Sequence, residues 1–162
     1  MASGKKDIES KLPDADISEN VKLPVDAKYE SINYVDTSKL VWNYSLLTDD
    51  DVTNYQNGTN YQLYKKFGSH SIQVNDVWGM YFCVWAPNAT LVSVKGNFND
   101  WKNDEYELYP RWDKSGIWEG FIPDFPKGEV YKYSIRGYKG VEIDKGDPYA
   151  NFWEKRPQTA SI

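Results

Sequence analysis

Met80-Tyr81-Phe82-Cys83-Val84-Trp85-Ala86-Pro87-Asn88 decides the fold. Met80, Phe82, Val84 and Ala86 recur at a period of two on one face, Tyr81, Cys83 and Trp85 occupy the other, and Pro87-Asn88 stops the run. That pattern is a strand followed by a turn. Next, Val92, Val94, Gly96 and Phe98 alternate with Leu91, Ser93, Lys95 and Asn97 up to Asn99-Asp100, so a second strand is expected to pair with the first as a hairpin. Ser115-Gly116 opens a third run, Ile117 to Ile122, stopped by Pro123. Lys127-Gly128 precedes a fourth, Glu129 to Arg136, stopped by Gly137. Short alternating runs punctuated by Gly, Pro and Asn predict an all-β sandwich.

Two positions stand out against that frame. Phe98-Asn99-Asp100-Trp101 puts a tryptophan in a tight polar turn, where a sandwich core is hard to reach. An indole face held on a loop suits the apolar C–H face of a sugar ring. In the fourth run Tyr131, Tyr133 and Ile135 share one face, so Lys132, Ser134 and Arg136 point the other way. With the tyrosines in the core, Lys132 faces solvent, either as a donor to hydroxyls or as an ordinary solubilising charge.

Upstream, Tyr61, Tyr64 and Phe67 recur every third residue, with Thr59 as a cap and Gly68 as a stop, which predicts a short helix from 59 to 66 docked on the sandwich. Residues 1–40 carry only Tyr29 and Tyr34 as aromatics, among many acids and lysines. Such a composition buries too little surface to offset chain entropy, and a disordered tail is expected. The expected division is a tail at 1–40, a helical lead-in at 41–75, the sandwich at 76–150 and a linker at 151–162.

The 162 residues suffice for one ordinary domain and exclude a (β/α)₈ barrel of roughly 250 residues. A net charge of −5 lacks the basic footprint of a nucleic-acid binder. No stretch reaches the ~20 apolar residues of a membrane span. One cysteine, Cys83, and no apolar leader point to a reducing, cytoplasmic setting, in which the sequons at Asn57 and Asn88 are coincidental.

Tyr81-Phe82-Cys83-Val84-Trp85-Ala86-Pro87-Asn88-Ala89, Gly96-Asn97-Phe98-Asn99-Asp100-Trp101, Ser115-Gly116-Ile117-Trp118-Glu119 and Tyr131-Lys132-Tyr133 together resemble the amino-terminal region of bacterial 1,4-α-glucan branching enzymes. That region is a carbohydrate-binding module of family 48, an immunoglobulin-like sandwich ahead of a glycoside hydrolase family 13 barrel. Leu63-Tyr64-Lys65-Lys66-Phe67-Gly68-Ser69-His70, Lys145-Gly146-Asp147-Pro148-Tyr149-Ala150 and Arg156-Pro157-Gln158-Thr159-Ala160-Ser161 extend the resemblance to the last residue. It implies binding of α-1,4-glucan, glycogen or malto-oligosaccharide, and packing on a catalytic barrel. In the family the barrel cuts an α-1,4 link through a covalent glucosyl intermediate and rejoins the chain as an α-1,6 branch. The sequence ends at Ile162 before any barrel, so no turnover is expected of these residues.

The resemblance assigns sugar contacts to Trp101 and Lys132. The glycogen-binding regulatory subunits of a protein kinase, relatives of this module, place a second tryptophan after the lysine strand; here Tyr138 is the nearest aromatic, so weaker or differently placed binding is expected. Asn99, Asn97 and Trp112 are further candidates for which turn-forming or packing roles compete. Trp85 and Trp118 are expected in the core or an interface. Glu119 and Asp124 are not placed to form the carboxyl pair of a glycosidase, and no catalytic pair, metal site or cofactor is assigned. His70 lacks ligand or catalytic partners, and Cys83 reads as a packed, unreactive thiol. Two other readings remain open: a structural domain without sugar affinity, its aromatic surface an interface, and a free-standing regulatory glycogen-binding subunit.

Overall fold

In a computed structural model, described over residues 36–162, the chain forms two four-stranded antiparallel sheets packed face to face. Residues 1–35, most of the tail expected at 1–40, lie outside the described residues. The first sheet runs β1 (Gly68–Val74), β2 (Val77–Trp85), β6 (Ile117–Pro123), β5 (Tyr109–Pro110). The second runs β4 (Tyr106–Glu107), β3 (Ala89–Gly96), β7 (Tyr131–Gly137), β8 (Glu142–Lys145). This is the all-β sandwich that the alternating runs predict, with the two facing sheets that the resemblance implies.

The expected hairpin between the first two runs does not form. β2 pairs with β1 and β6, whereas β3 pairs with β4 and β7, so the turn at Pro87 carries the chain from one sheet to the other. The physical reason is burial on both sides. Phe82 and Val84 from β2 meet Val92, Val94, Tyr131 and Tyr133 from the facing sheet in one core. Each of these six is nearly or fully buried, contributing about 1.5–3 kcal/mol for an aliphatic or aromatic side chain removed from water. Trp118 joins them and donates its indole N–H to Ala86 O.

Tyr81, Cys83, Ile117 and Phe121, on the outer face of the first sheet, are covered by the lead-in, whose Trp42, Leu47, Val52 and Phe67 form a second core with them. The lead-in helix α1 spans Asp49–Gln56, earlier than the aromatic spacing predicts. Thr48 caps it in a reciprocal box with Asp51, and three aspartates occupy the positive end of its dipole. Residues 59–66 hold only a 3₁₀ turn at Leu63–Lys65. Phe67 is buried, but Tyr61 and Tyr64 face solvent, so the three aromatics do not share a docked face.

β1 is absent from the sequence reading because it is a polar edge strand. Its register with β2 is set by Asn75-Asp76, both at positive φ in a two-residue turn. The segment expected as a linker at 151–162 packs instead against β7: Ser161 exchanges both backbone hydrogen bonds with Tyr131, and Ala160 and Ser161 are fully buried.

Candidate functional site: the Trp101 turn and the outer face of the second sheet

The Trp101 turn is built from its flanks inward. Phe98 is driven into the core, with ring centroids 4.7 Å from Phe125 and 5.1 Å from Tyr106. Asn99 is 6% exposed; its amide oxygen accepts from Gly96 N at 3.0 Å and its amide nitrogen donates to Lys102 O at 3.1 Å. Closure leaves Asp100 and Trp101 at φ 53° and 58°, the left-handed region that bulky side chains avoid. The indole N–H donates to Asn97 Oδ1 at 2.9 Å, and 37% of Trp101 stays open to solvent. The turn therefore holds a strained tryptophan outward on the buried Asn99 and the half-buried Phe98.

Beyond Trp101 the loop lies over the outward face of β3, β7 and β8. Lys95, 8% exposed, pairs with Asp144 at 2.8 Å and donates to Asn103 Oδ1 at 3.0 Å. Arg136 pairs with Asp104 and with Glu142. Ser93 Oγ accepts from Asp104 N at 3.3 Å. None of these loop-anchoring residues has a motif of its own; the signal for them was the outward alternation of Ser93, Lys95 and Arg136 opposite a loop bearing Asn103 and Asp104.

Lys132 stands opposite Lys95 in the β3–β7 register and projects from the same outward face, at the end of the sheet where the Trp101 turn sits. One of its three donors is taken by Thr159 Oγ1 at 2.8 Å. Tyr138, 81% exposed, follows the far end of β7. Six residues of strand rise put it about 20 Å from Lys132, so the structure brings Trp101 and Lys132 to one end and leaves Tyr138 at the other. Asn99 serves the turn from inside. Trp112 is 77% exposed rather than packed, and Trp85, half exposed at the rim of the first sheet, donates to Ser115 O at 3.1 Å.

Glu119 and Asp124 stand in different settings. Glu119 is buried, accepting from Tyr81 and Ser45 and paired with Arg111 at 2.7 Å, while Asp124 is exposed in a turn. Asp147 is fully buried; it accepts from the Tyr131 and Tyr133 hydroxyls at 2.7 and 3.1 Å and from Tyr149 N at 2.8 Å. His70 lies in β1, its Nε2 3.0 Å from Phe67 O. Cys83 is buried, and burial, then the nearby Glu119 charge, push its thiol well up. No cluster of metal-ligating side chains occurs among the described residues, and no helix there is long and apolar enough to cross a membrane.

Residues 66–150 match carbohydrate-binding module 48, the isoamylase N-terminal domain. The chain belongs to that family. The chain is 45% identical over 125 residues to a 1,4-alpha-glucan branching enzyme of Desulfitobacterium hafniense, covering 77% of this chain and 20% of that protein. Its identity to a 1,4-alpha-glucan branching enzyme of Thermosynechococcus vestitus is 46% over 116 residues, covering 72% and 15%. The chain thus spans a fifth or less of the length of these relatives. Among solved structures, a Klebsiella pneumoniae pullulanase complexed with maltotriose aligns with TM-score 0.46 and 26% identity over 60% of this chain and 9% of that one. A Bacillus acidopullulyticus pullulanase aligns at 0.47 and 18% over 64% and 12%.

Proposed function

We propose that this module holds α-1,4-glucan, as glycogen or malto-oligosaccharide, for a 1,4-α-glucan branching enzyme, and packs against that enzyme's catalytic barrel. The observation that carries the reading is the Trp101 turn. A bulky side chain in the left-handed region costs on the order of 1–3 kcal/mol and persists only where its surroundings over-determine it, a condition that clusters at ligand-binding positions. Phe98 and Asn99 supply that determination, and the ring they hold out faces solvent beside an outward lysine. The indole offers a face to the C–H surface of a glucose unit, the two unused donors of Lys132 reach hydroxyls, and Asn99 keeps the turn in shape. Tyr138 is a separate contact for a chain that runs the length of β7. With contacts this few, affinity per site is modest and rests on the many chain ends of a polymer.

Retardation in a native gel cast with glycogen tests the proposal. Wild type is slowed, and Trp101→Ala restores free migration while Lys132→Ala weakens retardation. Equal migration of all three proteins with and without glycogen sinks the reading. The exposed Phe152, Trp153 and Trp112 favour a second role, an interface with the barrel; uptake of a hydrophobic dye by the wild-type module, without any glycogen response, would make that the whole function.

A further inference from the structure

We infer that the lead-in carries a second α-glucan contact, a groove between α1 and the loop 59–66, almost wholly outside the residues that define the family match. This rests on the glucan-binding reading above and extends it to a new surface. The groove encloses about 340 Å³, at the lower end of the range for small-molecule sites, about 300–1,000 Å³. Its floor is apolar, with Leu47 buried and Leu63 half-buried; its walls carry Asn54, Thr59, Asn60 and Gln62; and Tyr61, 87% exposed, lines it from the rim.

The walls are held before any ligand arrives. Thr59 Oγ1, with one proton to give, lies 3.2 Å from Asn54 O and 3.3 Å from Asn54 Oδ1, Gln62 N donates to Asn60 Oδ1 at 3.0 Å, and Lys65 Nζ donates to Gln62 Oε1 at 2.9 Å. Each of the three amide oxygens thereby has a donor within reach. Their three amide nitrogens have no hydrogen-bond partner among the described residues. An ion pair between Asp51 and Lys66 ties the helix to the end of the loop.

These facts select the ligand by chemistry. The charges on the groove are already engaged with its own walls: Asp51 pairs with Lys66, and Lys65 donates to Gln62. A neutral polyol needs no free charge to pair with. Its hydroxyl oxygens accept from the unused amide N–H groups, and its C–H face lies on Tyr61 above the leucine floor. The ordering of the walls lowers the entropy lost on binding. A short stretch of neutral α-glucan fits this groove, and with the Trp101 turn on the same domain one polymer can be held at two points.

The test is a titration of the ¹⁵N-labelled chain with maltoheptaose, following backbone amide shifts in wild type, Trp101→Ala, Tyr61→Ala and Tyr61→Phe. The inference expects shifts at Asn54 and at 59–62 that persist in Trp101→Ala, weaken about fivefold to tenfold in Tyr61→Ala, and return in Tyr61→Phe. Tyr61 is exposed, and an unchanged melting temperature checks that its variants fold. Shifts confined to residues 97–102 overturn the groove and leave the Trp101 reading intact. Shifts at 59–62 with the Trp101 turn silent keep the groove and remove the Trp101 reading. Silence at both places overturns both.

Discussion

Single residues here carry separable costs. Trp101 sits at φ 58°, where glycine is at ease, so Trp101→Gly is expected to keep stability within about 1 kcal/mol of wild type or above it while abolishing retardation by glycogen. Urea midpoints beside the native gel would show it; a large loss of stability would mean that the ring is structural. Gly96 is required for close approach, because a Cβ there would lie 2.0 Å from Val130 O and 2.8 Å from the Phe98 ring. Gly96→Ala should cost about 1–3 kcal/mol and loosen the Trp101 turn. Glu119→Ala removes one of two close carboxylate partners of Arg111, which keeps Asp113 at 2.9 Å, and takes the acceptor from the Tyr81 hydroxyl, so it should cost about 1–3 kcal/mol in the same denaturation experiment. Asp147 sets a pH signature. Burial raises its pKa above the ordinary 3.8, with the hydrogen bonds from Tyr131, Tyr149 N and Tyr133 opposing that. The folded chain therefore holds this proton to higher pH than the unfolded one, so the contribution of Asp147 to stability is full below 3.8 and declines as pH rises through the folded value. Wild type should lose stability relative to Asp147→Asn as pH rises above 3.8 through the folded value, read from urea midpoints.

At the scale of elements, the lead-in depends on its cap. Thr48 and Asp51 close a reciprocal box, and Asp51 also binds Lys66. Burial alone would raise the Asp51 carboxyl, but the bonds from Lys66 and Thr48 outweigh it and hold the pKa below the ordinary value. Thr48→Ala should cost about 1 kcal/mol, read as a shift in urea midpoint at unchanged slope. The box was legible in Thr48-Asp49-Asp50-Asp51, yet aromatic spacing drew the expected helix to 59–66. Tyr61, Tyr64 and Phe67 do recur at intervals of three, but Asn60 and Gln62 spend their side chains on local turns, and the capped segment formed the helix instead. The strands were easier to read: Met80 to Ala86 is apolar throughout because each of its faces meets a core, and Tyr131, Tyr133 and Ile135 alternate with polar residues because they face one.

For the whole molecule, two cores share one sheet. Removing residues 36–67 would bare Tyr81, Cys83, Ile117 and Phe121 and take Ser45 from the Glu119–Arg111 pair. The shortened chain should bind a hydrophobic dye and expose Cys83 to a thiol reagent that the full chain resists until it unfolds; a thiol that stayed protected would show that the lead-in is dispensable. The amino-acid order by itself determined the sandwich class, four strands read at 80–86, 91–98, 117–122 and 129–136 that form at 77–85, 89–96, 117–123 and 131–137, and the turn that carries Trp101, because apolar patterning and Gly/Pro/Asn punctuation are local signals. Only the tertiary structure decided that β2 and β3 lie in opposite sheets, that the last residues fold back onto β7, that Tyr138 stands far from Trp101, and that the lead-in forms a groove. Each of these depends on which distant surfaces bury one another, and residue spacing along the chain does not encode that choice.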